Sequence, residues 1–525
     1  MRLMMSSIKK TLVASALSLI GVTSAQAVVP EAQKSSHWFT EGQQFIEKQA
    51  QQAASNKAKN VILFVADGMG VSTITAARIF AGQMAGHSGE EHFLSFETMP
   101  YSAHVKTYNT NQQTPDSAGT MTAMMTGVKT RAGVVNIAPD SQRANCKTAK
   151  GYELTTALEL AELKGMSTGV ISTARITHAT PAAAYAKVPE RNWESDDNVP
   201  AEAARCKDIA SQLVGFSIGD GIDVAMGGGR RHFIPNSKVD IEGKNGKRKD
   251  GRDLTIEWQQ KYQAQNAAYI ENLAQFQNLD VANTDKLLGL FNSSHMQYEA
   301  DRANDTAGEP SLSEMTGKAI DILNKNDKGF FLMVESGRID HGHHAGNAYR
   351  ALEDTVEFAQ AVQVAMDKTS AQETLIIVTA DHSHVFSIAG YPQRGNDILG
   401  LVKGTDSNGL PLDKPTLAKD GMPYTTVGYA NGLGYADYGQ GQGGEQRYAD
   451  PHAAGRFDLT TVDTKSSGFH QEALVPLSSE THAGEDISVH AIGPGAHLFN
   501  GVIEQNVIFH VINKAAELGG QRYVN

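Results

Sequence analysis

Cysteine is nearly absent: two residues in a chain of 525 exclude a disulfide-built scaffold and any Cys-rich zinc module. Positive charge is in deficit, with 46 Lys and Arg against 58 Asp and Glu and a formal charge of −12, which argues against a protein that tracks a nucleic-acid backbone. Long hydrophobic runs are also missing. After the first 22 residues no apolar stretch approaches the roughly 18 residues that a membrane-spanning helix needs. What is present is a 40% hydrophobic, 20% charged chain with 18 Phe and 15 Tyr, too apolar for disorder. These proportions describe a large globular protein whose domain count must come from its motifs.

Arg2, Lys9 and Lys10 precede the apolar run Leu12 to Val22, and Ala25-Gln26-Ala27 supplies small residues where a signal peptidase cuts. Residues 1–27 read as a signal peptide and the mature chain as exported, with the periplasm as its expected compartment and the extracellular space as the alternative. No Cys lies near the cleavage point to carry a lipid anchor, and loss of the three basic residues leaves the protein more acidic. In an oxidising compartment Cys146 and Cys206 are expected to pair, and closing so long a loop contributes about 4 kcal/mol in the chain-entropy description.

Four short apolar runs end abruptly in polar residues. Asn60 to Ala66 stops at Asp67-Gly68-Met69-Gly70; Gly169 to Thr173 is followed by His178 and Thr180; Phe330 to Val334 runs into Glu335; Thr374 to Ala380 ends at Asp381-His382. Each reads as a buried strand. Helical patterns lie between them: Leu352, Val356, Ala359, Val362 and Met366 share one face, and Ser311 to Lys325 leads into the third strand. The expected fold is therefore α/β, a large, mostly parallel central sheet with helices on both faces. Ligands in such sheets bind beyond the carboxyl ends of the strands, which is where the polar residues fall.

Other signals are discounted on context. Gly165-Met166-Ser167-Thr168-Gly169 matches a nucleophile elbow, but a helical pattern precedes it and a strand follows, the reverse of what an elbow needs. Gly68-Met69-Gly70 lacks the third glycine of a dinucleotide fingerprint, and Gly227-Gly228-Gly229 reads as a tight turn. In Lys238 to Arg252 acids are interspersed with the bases, as in a solvated loop rather than a nucleic-acid site. Residues 386–475, rich in Gly, Tyr, Asp and Pro, read as an insertion with little regular structure.

Glu335, Asp340, His341, His343 and His344 fall within ten residues, and Asp381, His382 and His384 within four. With His482 they form the mixed imidazole and carboxylate set that suits zinc, whereas Glu with a Thr hydroxyl and a second carboxylate is a harder oxygen set that suits magnesium. Spacing alone fits catalysis by several metals and also structural metals. Ser117, in Thr114-Pro115-Asp116-Ser117-Ala118-Gly119-Thr120, opens a small-residue helical stretch. It is placed either as a nucleophile facing an anion at a helix start or as an N-cap, and the local sequence does not separate the two.

Taken together, Asp67 to Gly70, Pro115 to Thr120, Glu335 to His344, Thr379 to Phe386 and Glu480 to Asp486 resemble the alkaline phosphatases, in family order and across almost the whole mature chain. The resemblance implies hydrolysis of phosphate monoesters through a phosphoserine on Ser117, with two Zn²⁺ and one Mg²⁺ per subunit. It assigns Asp340, His344 and His482 to one zinc and Asp67, Asp381 and His382 to the other. Asp67 is also shared with the magnesium, together with Thr180 and Glu335. Arg191, eleven residues beyond Thr180, corresponds to the phosphate-clamping arginine. His178 and His341 stand where animal members also carry histidine, acting through water on the magnesium and on the phosphate. His343 and His384 are expected to support the ligands rather than bind metal. Asn292 and Glu309 lie near the acidic ligands of a calcium site known in animal relatives, and the Asn departs from that pattern. The resemblance further implies a homodimer, with residues 28–525 as one α/β domain and 386–475 as its crown-like insertion. The rival activities are a phosphodiesterase or sulfatase of the same metal-dependent superfamily, or a non-catalytic exported metal- or phosphate-binding protein. The presence of Arg191 and a three-metal ligand set favours monoesters over the first pair, and an intact Ser117 with a complete ligand set argues against the non-catalytic reading.

Overall fold

The computed structural model describes residues 29–50, 57–203, 206–434, 436–437 and 456–519. The expected signal peptide and the glycine-rich run Gly439 to Gly444 lie outside them. The core is a ten-stranded sheet. In chain order its strands are β1 (Asn60–Ala66), β2 (Tyr101–Lys106), β3 (Ser167–Arg175), β4 (Val224–Gly228), β5 (Ala267–Ile270), β6 (Lys286–Leu290), β7 (Phe330–Ser336), β8 (Thr374–Ala380), β9 (Ile487–Ile492) and β10 (Val502–Glu504). Their spatial order is β10-β2-β9-β8-β1-β7-β3-β4-β6-β5, parallel throughout except for β9, which runs antiparallel to both of its neighbours.

Every residue of β1, β7 and β8 is buried, so both faces of the sheet centre are covered, and the unbroken runs of Val, Ile, Leu and Phe follow from that. The four strands read from sequence are β1, β3, β7 and β8; β7 extends past its apolar run because polar Glu335 and Ser336 keep ladder pairing with β1, and β3 extends to Arg175, which pairs with Gly228. Helix Ala348–Lys368 buries Leu352, Ala359 and Val362, and helix Leu312–Leu323 opens on a capping box between Ser311 and Glu314. Gly165 caps helix Ala157–Lys164 in a left-handed conformation and the chain then enters β3, so Ser167 sits on no elbow. Gly229, at φ +94°, makes the turn expected after β4.

Between 386 and 475 the chain forms a small three-stranded sheet, Phe386–Ile388, Val427–Gly432 and Ala473–Pro476, and a two-stranded pair. Tyr429, on the second of these strands, shares a hydrogen bond of 2.9 Å with His343 Nδ1 and ties this region to the sheet end. No helix among the described residues is long and apolar enough to cross a membrane. Cys146 and Cys206 are joined as a disulfide across 60 residues of chain.

Candidate active site

Strand register brings the first acids together. Ala66 of β1 pairs with Ser336 of β7 and with Ala380 of β8, so Asp67 and Asp381 leave the sheet side by side, with Glu335 one residue inside on β7. The chain turns at Gly68, φ +78°, where a Cβ would stand 2.4 Å from His384 Nε2. Ser117 is the first residue of helix Ser117–Thr126. Its cap is Asp116, whose carboxylate accepts from Gly119 N at 3.1 Å. The capping role open to Ser117 is thus taken by its neighbour, and the Ser117 hydroxyl is left for the site.

Asp340, His344 and His482 meet at one corner. His482 Nδ1–H donates to the Pro115 carbonyl at 2.8 Å and His344 Nδ1–H to the Glu480 carbonyl at 2.7 Å. Both Nε2 lone pairs are therefore bare, 3.1 Å from each other and each 3.3 Å from Asp340 Oδ1. Two lone pairs and a carboxylate oxygen converging in this way repel unless a cation lies among them. Burial favours the neutral acid at Asp340, but positive charge at this corner, carried by the imidazoles of His344, His384 and His482 when they take up protons in place of a cation, holds it well below the usual carboxylate range.

A second group lies next to the first, the His382 and His482 rings stacking at 3.6 Å. His382 Nε2 is 3.1 Å from Ser117 Oγ, 3.2 Å from Asp381 Oδ2 and 3.4 Å from Asp67 Oδ1, which is itself 3.4 Å from Ser117 Oγ. The other Asp67 oxygen faces elsewhere, accepting from Thr180 Oγ1 at 3.3 Å. There it joins Glu335, whose Oε2 is held by Ser172 and whose Oε1 is buried without a partner. Ligand atoms of Asp67, His178 and Glu335 lie within 4.8 Å of one another, and His178 Nδ1 is a second unpartnered buried atom. Burial first, then the Asp381, Asp340 and Glu335 carboxylates, raise the Asp67 pKa well above normal; burial raises Glu335 to about 8. So many crowded acids, with orphaned oxygens and bare imidazoles, fit divalent cations: a nitrogen-rich donor set at the first corner, a mixed one of a single imidazole and two carboxylates at the second, and an oxygen-dominated one at the third.

Arg191 reaches this centre from the side. Its Nη1 donates to Asp116 Oδ2 at 3.0 Å and its Nη2 lies 3.3 Å from His178 Nε2. Asp116 also accepts from Gly133 N at 2.8 Å and Asn109 Nδ2 at 2.9 Å, so one carboxylate caps the serine's helix and anchors the arginine. Nothing in the local sequence marked Asp116 for the second task, because Arg191 comes 75 residues later. His341 lies 5.6 Å from His178, ring to ring, with His295 packed against both at 4.1 and 5.3 Å. Sequence reading had passed over His295, which has no motif around it. Burial, then Arg191 and Arg175, lower His178 to about 3, and burial with Arg338 lowers His341 well below its usual value.

His343 is spent on Thr73 Oγ1 at 3.0 Å and on Tyr429. His384 bridges Asp340 Oδ1 at 2.8 Å and Glu480 Oε2 at 2.6 Å, both nitrogens engaged by carboxylates. Asn292 and Glu309 also meet, the Asn amide donating to Glu309 Oε2 at 3.4 Å, and burial followed by Asp305 raises Glu309 to about 8.

This arrangement can be compared with known proteins. Residues 58–518 match the family described as alkaline phosphatase. The human alkaline phosphatase, tissue-nonspecific isozyme, is 45% identical over 511 residues, covering 95% of this chain and 92% of that protein. A membrane-bound alkaline phosphatase of Bombyx mori is 39% identical, covering 96% and 89%. Among solved structures, the Thermus thermophilus alkaline phosphatase shares the fold at a TM-score of 0.62 and 23% identity, covering 90% of this chain and 94% of that one. The enzyme from the Antarctic bacterium TAB5 does so at 0.58 and 23%, covering 88% and 100%. With a carboxylate and imidazole centre at the sheet's carboxyl end and a family match over most of its length, the chain belongs to the alkaline phosphatases, hydrolases of phosphate monoesters.

Proposed function

We propose that the chain hydrolyses phosphate monoesters through a covalent phosphoserine on Ser117. The observation that carries this is the position of Ser117 Oγ, at the head of its helix and within 3.4 Å of both His382 Nε2 and Asp67 Oδ1. Asp340, His344 and His482 would hold one Zn²⁺, Asp67, Asp381 and His382 the second, and Asp67, Thr180 and Glu335 one Mg²⁺. When bound, these ions supply Lewis acidity at the attacking, leaving and non-bridging oxygens, which a phosphate dianion requires.

The protein's own groups do the rest. Ser117 Oγ attacks phosphorus as the ester P–O bond breaks, and the hydroxyl proton ends on the departing alcohol; water then cleaves the phosphoserine, restoring the hydroxyl and releasing phosphate. Arg191 presents its guanidinium to the non-bridging oxygens, held in place by Asp116. Burial pushes the Asp116 carboxyl upward, but Arg191 and the Gly119 and Gly133 N–H groups outweigh it and lower its pKa, so the anchor stays charged. His178 and His341 act through water beside the third ion and the phosphate. The disulfide and the N-terminal pattern support export to the periplasm. A homodimer with residues 386–475 as its crown completes the reading.

The test is acid-quenched mass spectrometry of enzyme mixed with an aryl phosphate, with zinc and magnesium measured on the same sample. Wild type should carry phosphate on Ser117. Ser117→Ala should carry none and turn over slower by about 10³-fold or more. Near-normal turnover in that variant would overturn the nucleophile assignment.

A further inference from the structure

Arg338 opens helix Arg338–His344, the segment that carries Asp340, His341 and His344, and only 3% of it is exposed. Its guanidinium stacks on the Tyr298 ring at 3.7 Å. The helix start is tied to β3, Gly337 N donating to Thr173 Oγ1 at 3.0 Å. One turn along the same helix face, Arg338 Nη1 lies 3.2 Å from His341 Nδ1. A guanidinium has only N–H groups to offer, so Nδ1 is the acceptor. In a neutral imidazole that leaves the proton on Nε2, a nitrogen that bonds to none of the described residues, in a ring still partly open to solvent.

His178 has the opposite polarity. Arg191 Nη2 lies 3.3 Å from its Nε2, which accepts, so the proton falls on Nδ1, buried without a partner in the group with Asp67 and Glu335. Two imidazoles 5.6 Å apart thus carry their protons on different nitrogens, and what separates them is which nitrogen an arginine occupies. His295, packed at 4.1 Å against His341, limits the turning of that ring. The difference matters to an anion, because an Nε2–H attracts a phosphate oxygen or the water bound to it, whereas an Nε2 lone pair repels it.

We propose that Arg338 is a positioning residue for phosphate: by occupying Nδ1 of His341 it commits the Nε2–H of that ring to the phosphate side. Without the arginine the ring is free to turn and to carry its proton on either nitrogen. The inference rests on the mechanism proposed above, which sets His341 beside the phosphate.

Neutron diffraction from deuterated, metal-loaded crystals with inorganic phosphate should show a deuteron on Nε2 of His341 and none on Nδ1; a deuteron on Nδ1 would overturn the inference. Amide side chains test the same polarity in solution, since Gln sets its amide near the Nε2 position and Asn near the Nδ1 position. Calorimetric binding of inorganic phosphate at pH 9, well above the ordinary imidazole pKa of about 6.5, should be about fivefold tighter for His341→Gln than for His341→Asn. Arg338→Met should weaken that binding by about fivefold in the wild type but by less than about twofold on His341→Gln, where no ring nitrogen remains to be held. Arg338→Lys, which keeps a donor, should recover most of the loss. Equal affinities for the Gln and Asn variants, or an Arg338→Met penalty of the same size in both backgrounds, as a purely structural arginine would give, would overturn the assignment. The neutron map and the amide pair leave Arg338 in place, so they decide the matter even where Arg338→Met does not fold. None of these readouts needs turnover: a fully active Ser117→Ala protein would remove the serine mechanism and leave this assignment standing, whereas a metal-loaded wild type that binds no phosphate would remove both.

Discussion

At the residue scale, Asp116 links two functions that sequence keeps apart. Its carboxylate caps the helix that begins at Ser117 and ties down Arg191, so its loss and the loss of Arg191 should differ in a measurable way. Arg191→Ala should raise the inhibition constant for inorganic phosphate by about tenfold or more, losing a charge-assisted contact, and should lower stability in a way that eases at low pH, where the stranded Asp116 carboxyl protonates. Asp116→Ala should weaken phosphate inhibition in the same direction and also cost about 1–2 kcal/mol in denaturant unfolding from the missing cap. A phosphate inhibition constant unchanged in Arg191→Ala would reject the clamp. The serine itself was visible in sequence, but that its neighbour Asp116 is the cap was not, since both residue types can cap and only the fold shows which one does.

At the element scale, parallel register places the chemistry. Because Ala66, Ser336 and Ala380 are level, three chain segments deliver their acids to one point, and the apolar runs preceding each acid already marked those strands. The opposite end of the sheet carries an unmarked burden. Glu162, on helix Ala157–Lys164, is buried with one carboxylate oxygen unpartnered, and burial raises its pKa to about 8 against the counteracting bond from Thr168, with Asp223 and Asp220 adding to the rise. A folded pKa above the unfolded value of about 4.3 means that its stabilising contribution is complete at low pH and is lost as pH climbs through about 8. Glu162→Gln should therefore melt several degrees above wild type at pH 9 and much closer to it at pH 5. A melting difference that does not change with pH would contradict the burial argument.

At the scale of the whole molecule, a protein of formal charge −12 acts on phosphate dianions, so attraction has to be local. In the proposed mechanism Arg191, a helix start and bound cations provide it, and the cations would also answer a stability problem. Asp67, Glu335 and Asp381 all have raised pKa values because burial and mutual repulsion disfavour their charged forms. Ions that bind only the folded chain stabilise it, by about 4 kcal/mol per site at a free concentration a thousandfold above Kd. Chelation should accordingly lower the melting temperature as well as abolish activity, and added zinc with magnesium should restore the melting temperature in a dose-dependent way. A melting temperature indifferent to chelator would contradict the reading of these clusters as metal sites.

By itself the sequence determined the α/β class, the central strands, the metal-ligand residue types and the family, because buried parallel strands leave unbroken apolar runs and metal chemistry demands particular side chains at their ends. Tertiary structure decided what depends on distant residues meeting. His382 and His482 stack, Asp116 grips Arg191, and His295 joins His178 and His341, none of which any local pattern encodes. The bare Nε2 atoms of His344 and His482 make the point most sharply. Their ligand character depends on carbonyls of Glu480 and Pro115 taking the Nδ1 protons, and a backbone carbonyl has no signature in sequence until the fold puts it there.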